Sequence, residues 1–166
     1  NGSENFNPDK RFGFFPSFGA AWVVSSESWF APLAKVVSLF KLRTSYGLVG
    51  NDQINVNGNL YRFGFLSEMN GGAGGYKFGT GGSFFDVTGG YEVSKYGVDV
   101  TWETAKKFNF GIDLSLFNDV VALNIDFFKE RRDNIFLTRG SIPATVGLTA
   151  GVVGNLGIVD NHGFEI

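Results

Sequence analysis

The sequence predicts an all-β chain of consecutive antiparallel strands, each with one apolar and one polar face. Three observations carry that expectation. The stretch WETAKKFNFGIDLSLF, residues 102–117, sets Trp102, Thr104, Phe108, Phe110, Ile112, Leu114 and Leu116 on one parity and Glu103, Lys107, Asn109, Asp113 and Ser115 on the other. Period-two alternation puts the two sets on opposite faces of a strand. Short connections also alternate with long, Gly-rich ones along the chain, the asymmetry expected of an outer-membrane barrel. Finally, the 166 residues include 24 Gly and 19 Phe but only 4 Pro, a composition suited to sheets with tight bends and girdles of rings. Strands of a soluble sandwich usually run about 5 or 6 residues, whereas crossing hydrocarbon at a tilt takes about 9–11. The alternation over residues 102–117 exceeds both. The predicted fold is therefore part of a large transmembrane β-barrel, a fragment forming an open twisted sheet. Its apolar parity faces lipid, and Arg43, Glu103, Lys107, Asp113 and Asp126 face a wet lumen.

Strands are expected near residues 10–24, 39–50, 101–117, 120–133 and 157–166, with short strands within 55–98. In the first, Phe12, Phe14, Pro16, Phe18, Ala20 and Trp22 oppose Arg11, Gly13, Ser17 and Gly19, with Phe15 out of step. In the second, Leu42, Tyr46 and Leu48 oppose Lys41, Arg43, Ser45 and Gly47. In the fourth, Val121, Leu123, Ile125 and Phe127 oppose Ala122, Asn124, Asp126 and Glu130, and Phe128 breaks the parity. In the last, His162, Phe164 and Ile166 oppose Asn161, Gly163 and Glu165. Between Phe117 and Val120 lies only Asn118-Asp119, a two-residue hairpin turn. Residues 25–38 are expected to hold a short helix begun near Pro32. Residues 51–100 and 133–157 are the long loops. Short turns belong to the periplasmic side, so Trp22 and Trp29 should mark the periplasmic interface, and Trp102 should lie near or above the outer one.

Several function classes find no support. A formal charge of -2 and a pI near 5.4 give no basic face for nucleic acid. Without Cys there are no disulfides, thiolate metal sites or cysteine nucleophiles. No apolar run reaches the roughly 20 residues of a membrane helix. His162, the sole imidazole, would have to serve any Ser-His-Asp triad, yet it sits on the apolar parity beside Phe164. The stretch GGAGGYKFGTGG lacks the Gly-Lys-Ser/Thr ending of a phosphate loop, and DQINVNGN lacks the first acid and closing Glu of a calcium loop. Glu103 and Asp113 lie ten positions apart on one strand, roughly 33 Å, too far to flank one glycosidic bond. No catalytic residue, cofactor or metal is expected. A soluble β-sandwich that binds carbohydrate is the alternative fold, distinguished by needing no detergent, and an enzyme site in the long loops is the third reading.

At this point four ordered blocks acquire a likeness. RFGFFPSFGAAWVVSSESWF, LKLRTSYGLVGND, TWETAKKFNFGIDLSLFNDVVALNIDFFKERRDNIF and NLGIVDNHGFEI resemble consecutive barrel segments of SusC/RagA-type TonB-dependent outer-membrane transporters. The resemblance implies a barrel of about 22 strands with an internal plug, set in outer-membrane lipid and importing oligosaccharides or peptides with energy passed through the TonB complex. It also implies a SusD-like surface lipoprotein that lids the barrel. Residues 1–166 then read as a partial barrel domain lacking the plug domain and TonB box. Cargo contact is expected in the loops, where Tyr61, Phe63, Tyr76, Phe84, Phe85 and Tyr91 present ring faces and Asn51, Asp52 and Asn55 offer hydrogen bonds. The same rim would seat the lid.

Overall fold

The computed structural model describes residues 1–56, 58–80, 83–87, 89–148 and 150–166. In chain order its strands are β1 Ser17–Val23, β2 Val37–Asn51, β3 Asn55–Val56, β4 Asn59–Leu60, β5 Glu68–Ala73, β6 Tyr76–Thr80, β7 Ser83–Val87, β8 Gly90–Lys95, β9 Glu103–Leu116, β10 Val121–Thr138 and β11 Val153–Glu165. The five long ones form a single antiparallel sheet in the order β1-β2-β9-β10-β11, open at both edges. The shorter strands pair locally: β3 with β4, β5 with β8 and β6 with β7.

The register turns sequence alternation into two continuous faces. Trp22, Leu42, Ile112 and Ile125 stand in one row across four strands, and Ala20, Thr44, Phe110, Phe127 and Phe164 stand in the next across five. On β9 the apolar residues run from Leu116 to Phe108, about 27 Å along the strand. At a barrel tilt near 40° that is about 21 Å of height, close to the apolar band of an outer-membrane barrel. Many of these side chains are exposed within this single sheet, among them Phe18, Trp22, Tyr46, Phe108 and Phe127. Among the described residues no second sheet packs over them, unlike the sandwich alternative.

A tight turn does centre on Asn118-Asp119, but the connection is four residues, 117–120, rather than two. Leu116 and Val121 are the last paired residues, Asn118 and Asp119 lie at φ 54° and 66°, and Val120 N–H donates to Phe117 C=O at 3.4 Å. Positive φ at both central residues is the type I′ geometry, whose twist matches the strands it joins. Phe117 is also left-handed, at φ 56°, and its N–H donates to Val36 C=O at 2.8 Å. The turn is thereby tied to the start of β2.

Other boundaries differ from the expectation. The first strand begins at Ser17, not near residue 10: Pro16 accepts from Leu48 N–H but has no N–H of its own for the ladder, and before it Phe12 forms an isolated bridge to Gly2. The connection between β1 and β2 contains 3₁₀ turns at Val24–Ser26 and Ser28–Leu33 with Pro32 inside the second, instead of a helix starting near Pro32. β10 continues past 133 to Thr138, and β11 starts at Val153 rather than 157. Bulges between Arg132 and Phe136, with Asn134 at φ 61°, shift the parity there and hide the continuation.

The two aromatics that broke the alternation both cover glycine. A Cβ at Gly163 would lie 2.7 Å from Phe128 Cζ, and one at Gly50 would lie 2.1 Å from Phe15 Cζ. Each ring occupies space that only a glycine leaves open, a pairing that shields an otherwise bare stretch of strand. The main core lies at the long-loop end. Phe6, Ile54, Val100, Trp102, Phe136 and Val153 cluster there, flanked by Phe15, Val56, Tyr61 and Val98. Trp102 does lie beyond the strand end far from the turn, but it leaves the apolar face. The residue is 8% exposed, its ring packs on Phe6 and Phe15, and its Nε1–H donates to Lys10 C=O at 3.0 Å.

Candidate functional site

The face opposite the apolar band is built around ion pairs. Arg43 on β2 reaches Asp113 Oδ1 on β9 through Nε at 3.1 Å and Asp126 Oδ2 on β10 through Nη2 at 2.6 Å. Lys41 Nζ stands 3.6 Å from the other Asp113 oxygen. To touch β10, the guanidinium must lie flat across β9, and the residue beneath it is Gly111. A Cβ there would sit 2.5 Å from Arg43 Cζ and 2.8 Å from Asp126 Oδ1. Farther from the turn a second group links Lys107 to Glu130 at 3.3 Å and Arg132 to Glu130 and Glu103 at 2.9 and 3.3 Å. Between the groups, Asn109 Nδ2 donates to Ser45 Oγ at 3.3 Å. Glu103 and Asp113, weighed above as a glycosidase pair, and Asp126 are each engaged by a cation. The result is a charged face whose cations and carboxylates are matched along and across the strands.

The loop-end candidates separate into distinct settings. Asn51 closes β2 opposite Glu103, and its Oδ1 accepts from Gln53 N–H at 3.0 Å, so it shapes the chain's departure from the sheet. The Asp52 carbonyl accepts from Asn5 Nδ2 at 3.4 Å. Asn55 lies in β3, paired with Leu60. Tyr61 packs on Phe136 with centroids 5.4 Å apart, and Lys95 Nζ stands 4.8 Å over its ring. Burial, reinforced by the Glu68 carboxylate, raises the Tyr61 phenol above its ordinary pKa, so the hydroxyl stays neutral at physiological pH. Phe63 is left-handed at φ 49°, with Phe65 edge-on and the Arg62 guanidinium 5.3 Å away.

Strands β5 to β8 form a long ribbon, its base β5–β8 and its distal part β6–β7. Tyr91, 80% exposed, stands opposite Gly71, and Phe85 stacks on Phe78 at 5.8 Å. Tyr76 and Phe84 belong to the distal pair, opposite Val87 and Gly79; their side chains lie outside the described parts. Lys95 anchors the ribbon's base. Besides the Tyr61 ring, it holds Glu68 at 2.7 Å and the Arg62 carbonyl at 2.9 Å. Sequence reading passed over both Lys95 and the Arg43 bridge, because each depends on segments far apart in sequence. Among the described residues no group of three or more His, Asp or Glu is placed to hold a metal.

Long antiparallel strands with one apolar face and one charged face have the make-up of a membrane β-barrel wall. The family described as "TonB dependent receptor-like, beta-barrel" matches residues 1–166, and the chain belongs to it. It is 27% identical over 99% of its length to TonB-dependent receptor P3 of Formosa agariphila, covering 15% of that protein. To TonB-dependent receptor SusC of Bacteroides thetaiotaomicron it is 26% identical over 99% of its length, again covering 15%. The chain thus spans about 15% of the length of these curated relatives. Among solved structures, it is similar to the RagAB peptide transporter with a TM-score of 0.72 and 21% identity, covering 98% of this chain and 16% of that one. The RagAB peptide importer in its "open-open" state gives a TM-score of 0.72 at 22% identity, covering 96% of this chain and 16% of that one. These relatives are named as receptors and transporters, not enzymes.

Proposed function

We propose that this chain forms part of the outer-membrane barrel wall of a TonB-dependent active transporter that imports glycans or peptides together with a SusD-like surface lipoprotein. The observation that carries the proposal is the two-faced sheet. Its outer rows from Leu116 to Phe108 suit lipid, and its inner rows carry Arg43, Asp113, Asp126, Lys107 and Glu130 into water. Family membership and the printed names of SusC and RagAB support the transport reading. Cargo and lid contact fall to the ribbon β5–β8, where Tyr91 and the Phe78–Phe85 pair present apolar ring faces to water. Such faces stack on the C–H face of a sugar or on apolar peptide side chains. Asn51, Asp52, Tyr61 and Phe63 then serve the ribbon's root, and Tyr76 and Phe84 its distal half.

The test uses the full-length transporter in cells. Uptake of a labelled oligosaccharide or oligopeptide should require both the protein and an energised inner membrane. Uptake that persists after the protonmotive force is collapsed would overturn active transport. Recovery of the protein in a detergent-free soluble fraction would overturn the membrane wall itself.

A further inference from the structure

We propose that the rim of the apolar face carries a binding site for the phosphate of an outer-leaflet lipid, with Lys129 as its principal cation. The proposal rests on the membrane-wall reading and adds a ligand to it. The argument starts from an exception. The strands of the large sheet hold seven Lys and Arg residues, Lys41, Arg43, Lys106, Lys107, Lys129, Arg131 and Arg132, and six have a carboxylate within ion-pair distance. Lys129 is the exception; among the described residues it has no acidic partner, and it is exposed.

Its position explains what would take that role. Across the strands, Tyr46, Phe108, Lys129 and His162 stand in one row of the apolar face. The next row toward the turn is Thr44, Phe110, Phe127 and Phe164, with Phe110–Phe127 and Phe127–Phe164 centroids 6.4 and 6.5 Å apart. The next row away from the turn is Leu48, Lys106, Arg131 and Asp160. There, charges are closed among themselves: Lys106 and Arg131 hold Asp133 at 3.1 and 3.0 Å, and Arg131 Nη1 reaches Asp160 at 3.4 Å. Lys129 therefore adds uncompensated positive charge where hydrocarbon gives way to headgroups. Its methylene stem can lie along Phe127 and Phe108 while the ammonium reaches upward. His162 stands beside it, and Arg131 Nη2 is uncommitted among the described residues. Three donors around one excess charge suit a phosphate, which has several acceptor oxygens and its own negative charge.

Native mass spectrometry of the full-length protein from nanodiscs tests this, with diphosphoryl lipid A as the probe and lipid A stripped of both phosphates as its control. A cation near an anionic leaflet contributes enough that Lys129→Gln should retain roughly fivefold less diphosphoryl lipid A. Lys129→Arg should retain the wild-type amount, and so should Lys107→Gln, which removes the same charge from the opposite face. The stripped lipid should show no dependence on residue 129. Equal retention by wild type and Lys129→Gln overturns the proposal while the wall reading stands. Displacement of the lipid by millimolar inorganic phosphate also overturns it, because the site would then hold a soluble anion. Failure of the wild type to enter nanodiscs defeats the wall reading and the lipid site with it.

Discussion

Arg43 reaches its second carboxylate only by crossing the strand between, and Gly111 is the residue that lets it pass. Gly111→Val should push the guanidinium off Asp126 without touching the apolar face. The checkable outcome is a shifted ion sensitivity of the wall, read as salt-dependent heat stability of the folded barrel, with insertion retained. The face assignment has a sharper test in Ile112, midway along the apolar run of β9. Arg at the midplane of a barrel's lipid face costs about 2–4 kcal/mol, and far less on the lumen side. Ile112→Arg should therefore block assembly where Asn109→Arg is tolerated. Asn109 is a cleaner comparison than Asp113, because removing Asp113 also strips Arg43 and Lys41 of their shared partner. Equal folded yields of the two Arg variants in an outer-membrane insertion assay would reject the assignment. In the loops, Lys95→Met removes an ion pair, a carbonyl hydrogen bond and a ring contact from a side chain only 12% exposed. A loss of about 1–3 kcal/mol of local stability follows, seen as faster proteolysis within 60–95 while the sheet stays resistant.

At the level of elements, the Asn118-Asp119 turn fixes the β9–β10 register and places the short connections at one end. Both residues hold left-handed φ values that L side chains adopt at a cost. Asp119→Gly gives the Asn-Gly pair that this turn type favours, and Asn118→Val should cost about 1–2 kcal/mol. Refolding yield into lipid should rise for the first and fall for the second. The Trp22–Trp29 pair lies beside the neighbouring connection, with Trp22 Nε1–H donating to Glu27 at 3.0 Å, as suits rings with one wet edge at an interface. The long strands were legible in the sequence because each keeps one solvent on each side for its whole length, so period two survives. The signal fails where that condition fails. Trp102 keeps the parity of β9 yet turns into the loop core, since nothing in alternation marks where a strand leaves the membrane. The bulge at Asn134 disguises the last turn of β10, and the Gly-rich ribbon has too few side chains on either face to alternate. Arg43, Gly111 and Asp126 lie on three strands, so their meeting depends on two registers that no local pattern encodes. The ribbon invites its own test. Replacing residues 69–94 with a short Gly-Ser turn leaves β2 and β9 directly paired, so the barrel should still fold. Lid co-purification or cargo uptake should fall, and if both are unchanged the ribbon contacts neither.

For the molecule as a whole, the sheet poses a problem that its own residues do not solve. Among the described residues β1 and β11 each pair on one side only, so backbone N–H and C=O groups point outward along both edges. Among the described residues no layer covers the apolar face, and the core cluster lies at the loop end. A closed bacterial barrel needs at least about eight strands to abolish its edges, and this sheet has five. Covering the apolar face and pairing the two edges must come together, since either alone leaves the other surface exposed. The 166-residue segment made by itself should therefore associate through its edges in water, growing in size with concentration as seen by light scattering. Detergent should cover the apolar face without closing the edges, leaving backbone amides of β1 and β11 open to hydrogen exchange while those of β9 are protected. The same amides should become protected in the full-length protein in nanodiscs, where both edges find neighbours. A segment that stays monomeric in plain buffer with its edge amides protected would mean that the sheet closes on itself, and the barrel-wall assignment would fail.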